Sequence, residues 1–147
     1  ARAKAEFGVP IWLHKDDLFL YKNAVQQGQM FGLRVQAPPP VDAFYEPGQT
    51  FRFGEYQGDV LPTPGHWPGG VCLAIGPADS QDRELFVGDT LFAGSIGRTD
   101  LPGGNYETLI NSIRTVLFAF PDEAVVHSGH GPDTTIGEEK RTNPFLQ

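Results

Sequence analysis

The sequence predicts a layered α/β sandwich, and three observations lead there. Short apolar runs bounded by Gly, Pro and Asp recur at regular intervals from Phe51 to Thr90, which is the punctuation of sheet strands. A longer segment, Asn105 to Phe120, carries Leu109, Ile113, Val116, Leu117 and Phe120 at helical spacing. Strands and helices come in blocks and do not alternate strictly, which separates this chain from doubly wound nucleotide-binding folds. With 39% apolar residues, a further 18 glycines and a length of 147, one core and a single domain over 1–147 are expected.

The opening ARAKAEFG reads as the tail of a helix closed by Gly8, with cations and a glycine where a helix C-terminus favours them, so the chain is expected to begin mid-element. VPIWLH is a short buried strand. KDDLFLYKNAVQQGQMFG is an irregular helix started by Asp16 or Asp17 and stopped near Gly32. APPPVDAFYEPGQT is a connector, because its prolines are stiff and lack the amide hydrogens of a sheet interior. FRFG, YQGDVLPTPG, GVCLAIGP and RELFVGDT are successive strands. Pro121 ends the long helix, EAVVHSGHG forms one more strand, and TTIGEEKRTNPFLQ forms a short helix and tail. There are no repeats, and Pro38 to Pro40 is the single low-complexity stretch.

A formal net charge of −7 argues against nucleic acid, whose phosphates need clustered Lys and Arg. No apolar run reaches the roughly 18 residues of a membrane helix, and no basic-then-apolar leader opens the chain. A soluble, cytoplasmic protein is expected. Cys72 is the one cysteine, so no internal disulfide forms; inside an apolar strand it reads as buried and inert.

Candidate chemistry lies at strand ends. His66 sits in TPGHWPGG, Asp89 in LFVGDTLF and His130 in VVHSGHGP, each where an apolar strand runs into a glycine-bearing turn. Singly, each reads as an ordinary turn residue or a capping carboxylate. Together they form a candidate metal set, because imidazole and carboxylate suit zinc or iron and strand ends hold them rigidly. Arg98 in GSIGRTD reads first as an ion-pair partner of Asp100 or another buried carboxylate, and second as a substrate-loop residue. His127, two residues before Gly129 on the same strand face, is expected to support a ligand or pack in the core. His14 stands alone and reads as a half-buried strand histidine; Tyr106 reads as packing at the start of the long helix.

TPGHWPGGVCLAI, LFVGDTLFAGSIGRTDLPGG and VVHSGHGPDTTIGEEKRTNPFL resemble the later metal-binding motifs of metallo-β-lactamase-fold hydrolases, in the glyoxalase II (hydroxyacylglutathione hydrolase)-like branch. The resemblance runs over nearly the whole chain, and NPFLQ is similar to the carboxyl end of short members that lack a glutathione-binding helical domain. It implies an αββα sandwich whose second sheet is complete here and whose first sheet is mostly missing. It also implies two metals, zinc or iron, with His66 on one, His130 on the other and Asp89 bridging them. In such a site a shared hydroxide attacks a thioester or ester carbonyl. The family's earlier H-x-H-x-D-H motif does not occur in these 147 residues. The resemblance therefore implies that the isolated chain is inactive, and that its exposed sheet is covered by self-association or by a complementing chain. A non-catalytic truncated module is the alternative. A minor one is a persulfide dioxygenase, whose iron-dependent members also carry GRTD, although SGHGPDTT looks more like the hydrolases.

Overall fold

The structure, a computed structural model, describes residues 2–30 and 32–147. Ala1 and Phe31, which the sequence assigns to the first two helices, lie outside the described residues. Two compact units are found, residues 1–45 and residues 46–147.

In the first unit, α1 (Arg2–Phe7) is closed as its sequence suggests: Gly8 takes φ 63° and its amide donates to the Lys4 carbonyl at 3.0 Å. β1 (Trp12–Leu13) is half-buried and pairs in parallel with β2 (Ala43–Phe44). This strand corrects the reading of the proline-rich stretch as connector throughout. Ala43 and Phe44 lie beyond Pro40 and keep the amide hydrogens that a ladder requires. Lys4 Nζ meets Asp42 Oδ1 at 2.6 Å, and this ammonium holds the Asp42 carboxyl below the usual carboxylate range. The irregular helix resolves into a 3-10 turn (Lys15–Asp17), α2 (Leu18–Lys22) and α3 (Ala24–Met30). His14 is half-buried as expected but is not a strand residue. It lies just past β1, and its Nδ1 caps the 3-10 turn by accepting from the Asp16 amide at 3.3 Å.

The second unit is built on a six-stranded sheet. β3 (Thr50–Phe53), β4 (Tyr56–Pro62), β5 (Val71–Pro77) and β6 (Glu84–Gly88) form an antiparallel meander. The chain then makes the small hairpin β7 (Leu91–Phe92) and β8 (Ser95–Ile96), followed by α4 (Tyr106–Thr115). It returns as β9 (Val125–Ser128), parallel to β6, and β10 (Thr134–Thr135) adds antiparallel at the edge before α5 (Ile136–Thr142). The sheet order is thus β10-β9-β6-β5-β4-β3. The hairpin and β10 are each two-residue strands, too short to leave an alternation in the sequence.

Register decides which side chains meet, because directly opposed residues share a face. Ala74 opposes Leu85, which opposes Val126, and with Cys72 and Val87 these residues are fully buried. Leu109, Ile113 and Leu117 from the long helical segment and Ile136 from α5 complete that core. Burial pushes the Cys72 thiol up to about 11, which leaves it a poor nucleophile. The other face carries Leu73, Phe86 and His127, and Phe53, Tyr56 and Phe86 are exposed.

The Asn105 side chain caps α4 by accepting from the Thr108 amide at 2.9 Å. The helix ends earlier than the spacing predicts: Leu117–Ala119 is a 3-10 turn ahead of Pro121. Tyr106 is exposed and not packed, since it occupies the first turn, away from the Leu109–Ile113 stripe. Among the described residues no helix is long and apolar enough to cross a membrane.

Leu85, buried between the central strands and α4, should be the costliest position to truncate. Leu85→Ala is expected to lower unfolding free energy by about 2–5 kcal/mol in chemical denaturation. A loss below about 0.5 kcal/mol, typical of surface sites, would contradict its central position.

Candidate metal centre

His66, Asp89 and His130 converge at one end of this sheet, each brought there by a different turn. His66 lies in the 63–70 loop, which is closed by the Thr63 amide donating to the Gly70 carbonyl at 2.8 Å. Gly65, at φ 136°, lets that loop pass α4: a Cβ there would sit 2.4 Å from Leu109 Cα. Asp89 follows β6 directly after Gly88. His130 follows β9, and the Gly129 amide donates to the Gly88 carbonyl at 2.8 Å, so the two strand ends are tied together. A Cβ on Gly129 would lie 2.5 Å from Asp89 Oδ1; only glycine leaves that carboxylate in place.

The Asp89 carboxylate is divided between the two imidazoles. Its Oδ2 lies 3.8 Å from His66 Nε2, and its Oδ1 lies 3.6 Å from His130 Nε2. These separations exceed a hydrogen bond. They are wide enough for a cation ligated by both groups at the usual distances of about 2.0–2.2 Å. His66 Nδ1 is 2.7 Å from the Arg98 carbonyl. A carbonyl accepts only, so Nδ1 carries the proton and donates, leaving the Nε2 lone pair free for a metal. The His130 ring stacks on Phe92, with centroids 4.6 Å apart.

No three His, Cys, Asp or Glu side chains among the described residues converge on a single metal position. The donor set fits two cations sharing one carboxylate, with one imidazole for each, and not a mononuclear site. Each position then has two donors from this chain, one fewer than the three that catalytic zinc ordinarily receives from protein. The centre opens onto a groove of about 440 Å³ whose walls include Phe92, Ile96 and Pro132. A larger depression of about 820 Å³, bordered by Phe53, Tyr56, Phe86 and Phe120, contains no histidine. Its Arg83 is engaged by Asp59 and by the carbonyls of Pro77 and Ser80.

Arg98 forms a two-pronged ion pair with Asp100, both contacts at 2.8 Å, and the guanidinium holds the Asp100 carboxyl down to about 2. Its contribution to the centre comes through its backbone carbonyl, for which the sequence carries no signal. Phe92 carries no signal for a similar reason, since its hairpin is too short to leave a pattern. His127 is neither in the core nor against the three candidate ligands. It faces away from buried Val126, stacks on Phe86, and meets Glu84 Oε2 and Asp133 Oδ2, both at 3.1 Å. Desolvation lowers its pKa, but hydrogen bonds and charge from the two carboxylates outweigh it, and the net shift is upward.

Comparison with known proteins gives concordant matches. Residues 2–130 match the Metallo-beta-lactamase superfamily. The chain is 44% identical over 145 residues to hydroxyacylglutathione hydrolase GloC of Haemophilus influenzae, a match covering 97% of this chain and 66% of that protein. It is 38% identical over 146 residues to the probable metallo-hydrolase YqgX of Bacillus subtilis, covering 97% and 66%. Among solved structures, the BLEG-1 B3 metallo-beta-lactamase superposes with a TM-score of 0.86 at 34% identity, over 99% of this chain and 68% of that one. TTHA1623 in a di-iron-bound form superposes with a TM-score of 0.82 at 40% identity, over 99% and 69%. The chain spans 66% of the length of these curated relatives, and the sandwich fold is represented to that extent.

The raised pKa of His127 ties stability to pH. The stabilisation from its charged form is complete below the unfolded imidazole pKa of about 6.5 and is lost as pH rises through the higher folded value. His127→Gln should therefore melt below the parent at about pH 5.5 and approach it at about pH 9. A difference in Tm that stays constant across that range would show that the imidazolium is not its source.

Proposed function

Since this chain belongs to the metallo-beta-lactamase superfamily, we propose that it forms the part of a metal-dependent thioesterase that holds the bridging carboxylate and one imidazole for each of two metals. The observation that carries this reading is the division of Asp89, with one oxygen toward each Nε2. The substrate class, a hydroxyacylglutathione thioester, rests on the 44% identity to the Haemophilus influenzae hydrolase. Zinc and iron both suit the nitrogen and oxygen donors, and the similar protein solved with two irons supports iron as readily as zinc.

His66, Asp89 and His130 would hold the metals, which when bound supply Lewis acidity toward a carbonyl oxygen and a water-derived nucleophile near neutral pH. The chain's own residues do the rest. Asp89 sets the spacing of the two positions. The Arg98 carbonyl keeps the His66 proton on Nδ1, so the lone pair stays on the metal side. Phe92 fixes the plane of the His130 ring, and with Ile96 and Pro132 it offers an apolar wall to an acyl group.

Two donors per metal are too few for a closed site, so the reading requires further ligands, of the kind an H-x-H-x-D-H segment provides. Such a segment, whether it precedes these residues in the same polypeptide or belongs to another chain, would also cover exposed Phe53, Tyr56 and Phe86. A second copy of this chain would cover them but bring no such motif.

Alone and purified without added metal, the chain should retain well under one metal and leave a hydroxyacylglutathione thioester intact. Mixed with a polypeptide segment that carries an H-x-H-x-D-H motif, it should hold about two metals and hydrolyse the thioester. Asp89→Asn in the mixture should cost more than the about 10–100-fold typical of losing an outer partner of a ligand. Hydrolysis that survives this substitution unchanged, or a fully loaded mixture without turnover, would sink the proposal.

A further inference from the structure

Glu139 is 1% exposed and is the one buried charged side chain among the described residues. No cation faces it. Its three partners all donate: the Gly94 amide to Oε2 at 3.0 Å, Asn143 Nδ2 to Oε2 at 2.7 Å, and the Thr134 hydroxyl to Oε1 at 2.6 Å. A carboxylate in such a place is expensive unless every acceptor is used, and an apolar residue of similar size would commonly serve stability as well or better. The residues that Glu139 holds explain its presence.

Gly94 is the turn of the β7–β8 hairpin, and Asn143 Nδ2 also donates to the Ser95 carbonyl at 3.0 Å. Glu139 and Asn143 together therefore grip consecutive residues of that turn. From it, one arm presents Phe92 to the His130 ring, and the other runs through Gly97 to the Arg98 carbonyl that fixes His66. Gly97 has no slack, since a Cβ there would lie 1.9 Å from the Asp89 carbonyl oxygen. Thr134, on the other carboxylate oxygen, lies at the far end of the loop that carries His130. One buried carboxylate thus ties α5 to the segments that orient both imidazoles.

We propose that Glu139 is a positioning residue for the candidate metal centre: by holding the β7–β8 turn and the end of the His130 loop, it sets the tautomer of His66 and the ring plane of His130. This rests on reading His66, Asp89 and His130 as one centre. Glutamine can largely replace it, with its oxygen toward Gly94 and Asn143 and its amide donating to the Thr134 hydroxyl, which also accepts; leucine, of similar size, accepts from none of the three.

Spectra of ¹⁵N-labelled histidine in the metal-free chain test the proposal. The parent should show His66 as a single Nδ1–H tautomer and His130 ring protons displaced by the Phe92 ring current. Glu139→Leu should mix the His66 tautomers and return His130 to unstacked shifts. Ile136→Val, a truncation at a fully buried position of the same helix, should leave both signatures in place. A folded Glu139→Leu protein with unchanged signatures overturns the proposal, as does loss of both in Ile136→Val. If Glu139→Leu does not fold, amide exchange in the unaltered chain decides. Gly94 protected at least about tenfold over Ala93 supports the grip, and exchange as fast as at Ala93 overturns it. These readouts need neither metal nor turnover, so failure of the thioesterase reading would leave them intact.

Discussion

The candidate centre depends on one backbone hydrogen bond, from the Gly129 amide to the Gly88 carbonyl at 2.8 Å. It continues the parallel pairing of β6 and β9 one step past the regular ladder, after the register shift between Phe86 and Gly88. Strands that run parallel end on the same side of a sheet, so the residues that follow them, Asp89 and His130, emerge as neighbours although 41 positions separate them. The absence of a side chain on Gly129 then allows the Asp89 carboxylate to lie against the turn.

Around that joint, imidazoles are oriented by groups that are not themselves candidate ligands. The Arg98 carbonyl decides which nitrogen of His66 keeps its proton, and Phe92 decides the plane of His130. Both lie on, or directly after, a hairpin of two-residue strands that Leu91 anchors in the core. Its turn still needs its polar groups satisfied, and Glu139 and Asn143 satisfy them. Through these bonds α5 is tied to the hairpin beside the candidate centre.

The same sheet shows a division of labour between its faces. The face under α4 and α5 is closed by Cys72, Ala74, Leu85, Val87 and Val126, a dry core that makes the strand ends rigid. The opposite face leaves Phe53, Tyr56 and Phe86 in contact with solvent, and His127 rests there between two carboxylates. The candidate ligands thus stand at the rigid end of a sheet whose other face keeps aromatic side chains exposed.

The sequence by itself determined the strand-rich middle, the amphipathic long helix and the three polar residues at strand ends. Each of those signals is local: alternation, helical spacing, and a polar residue set among glycines. It also placed the Arg98 and Asp100 charges close enough to pair. Only the tertiary structure decided that Asp89 divides its oxygens between His66 and His130, since that follows from the pairing of strands far apart in the chain. The same holds for His127, which the strand's alternation sends to the open face, and for His14, which became a cap because the strand before it is two residues long. The hairpin, the Arg98 carbonyl and the grip of Glu139 were illegible in the sequence. Backbone acceptors are chemically alike at every position, and a buried glutamate in a helix is written no differently from an exposed one.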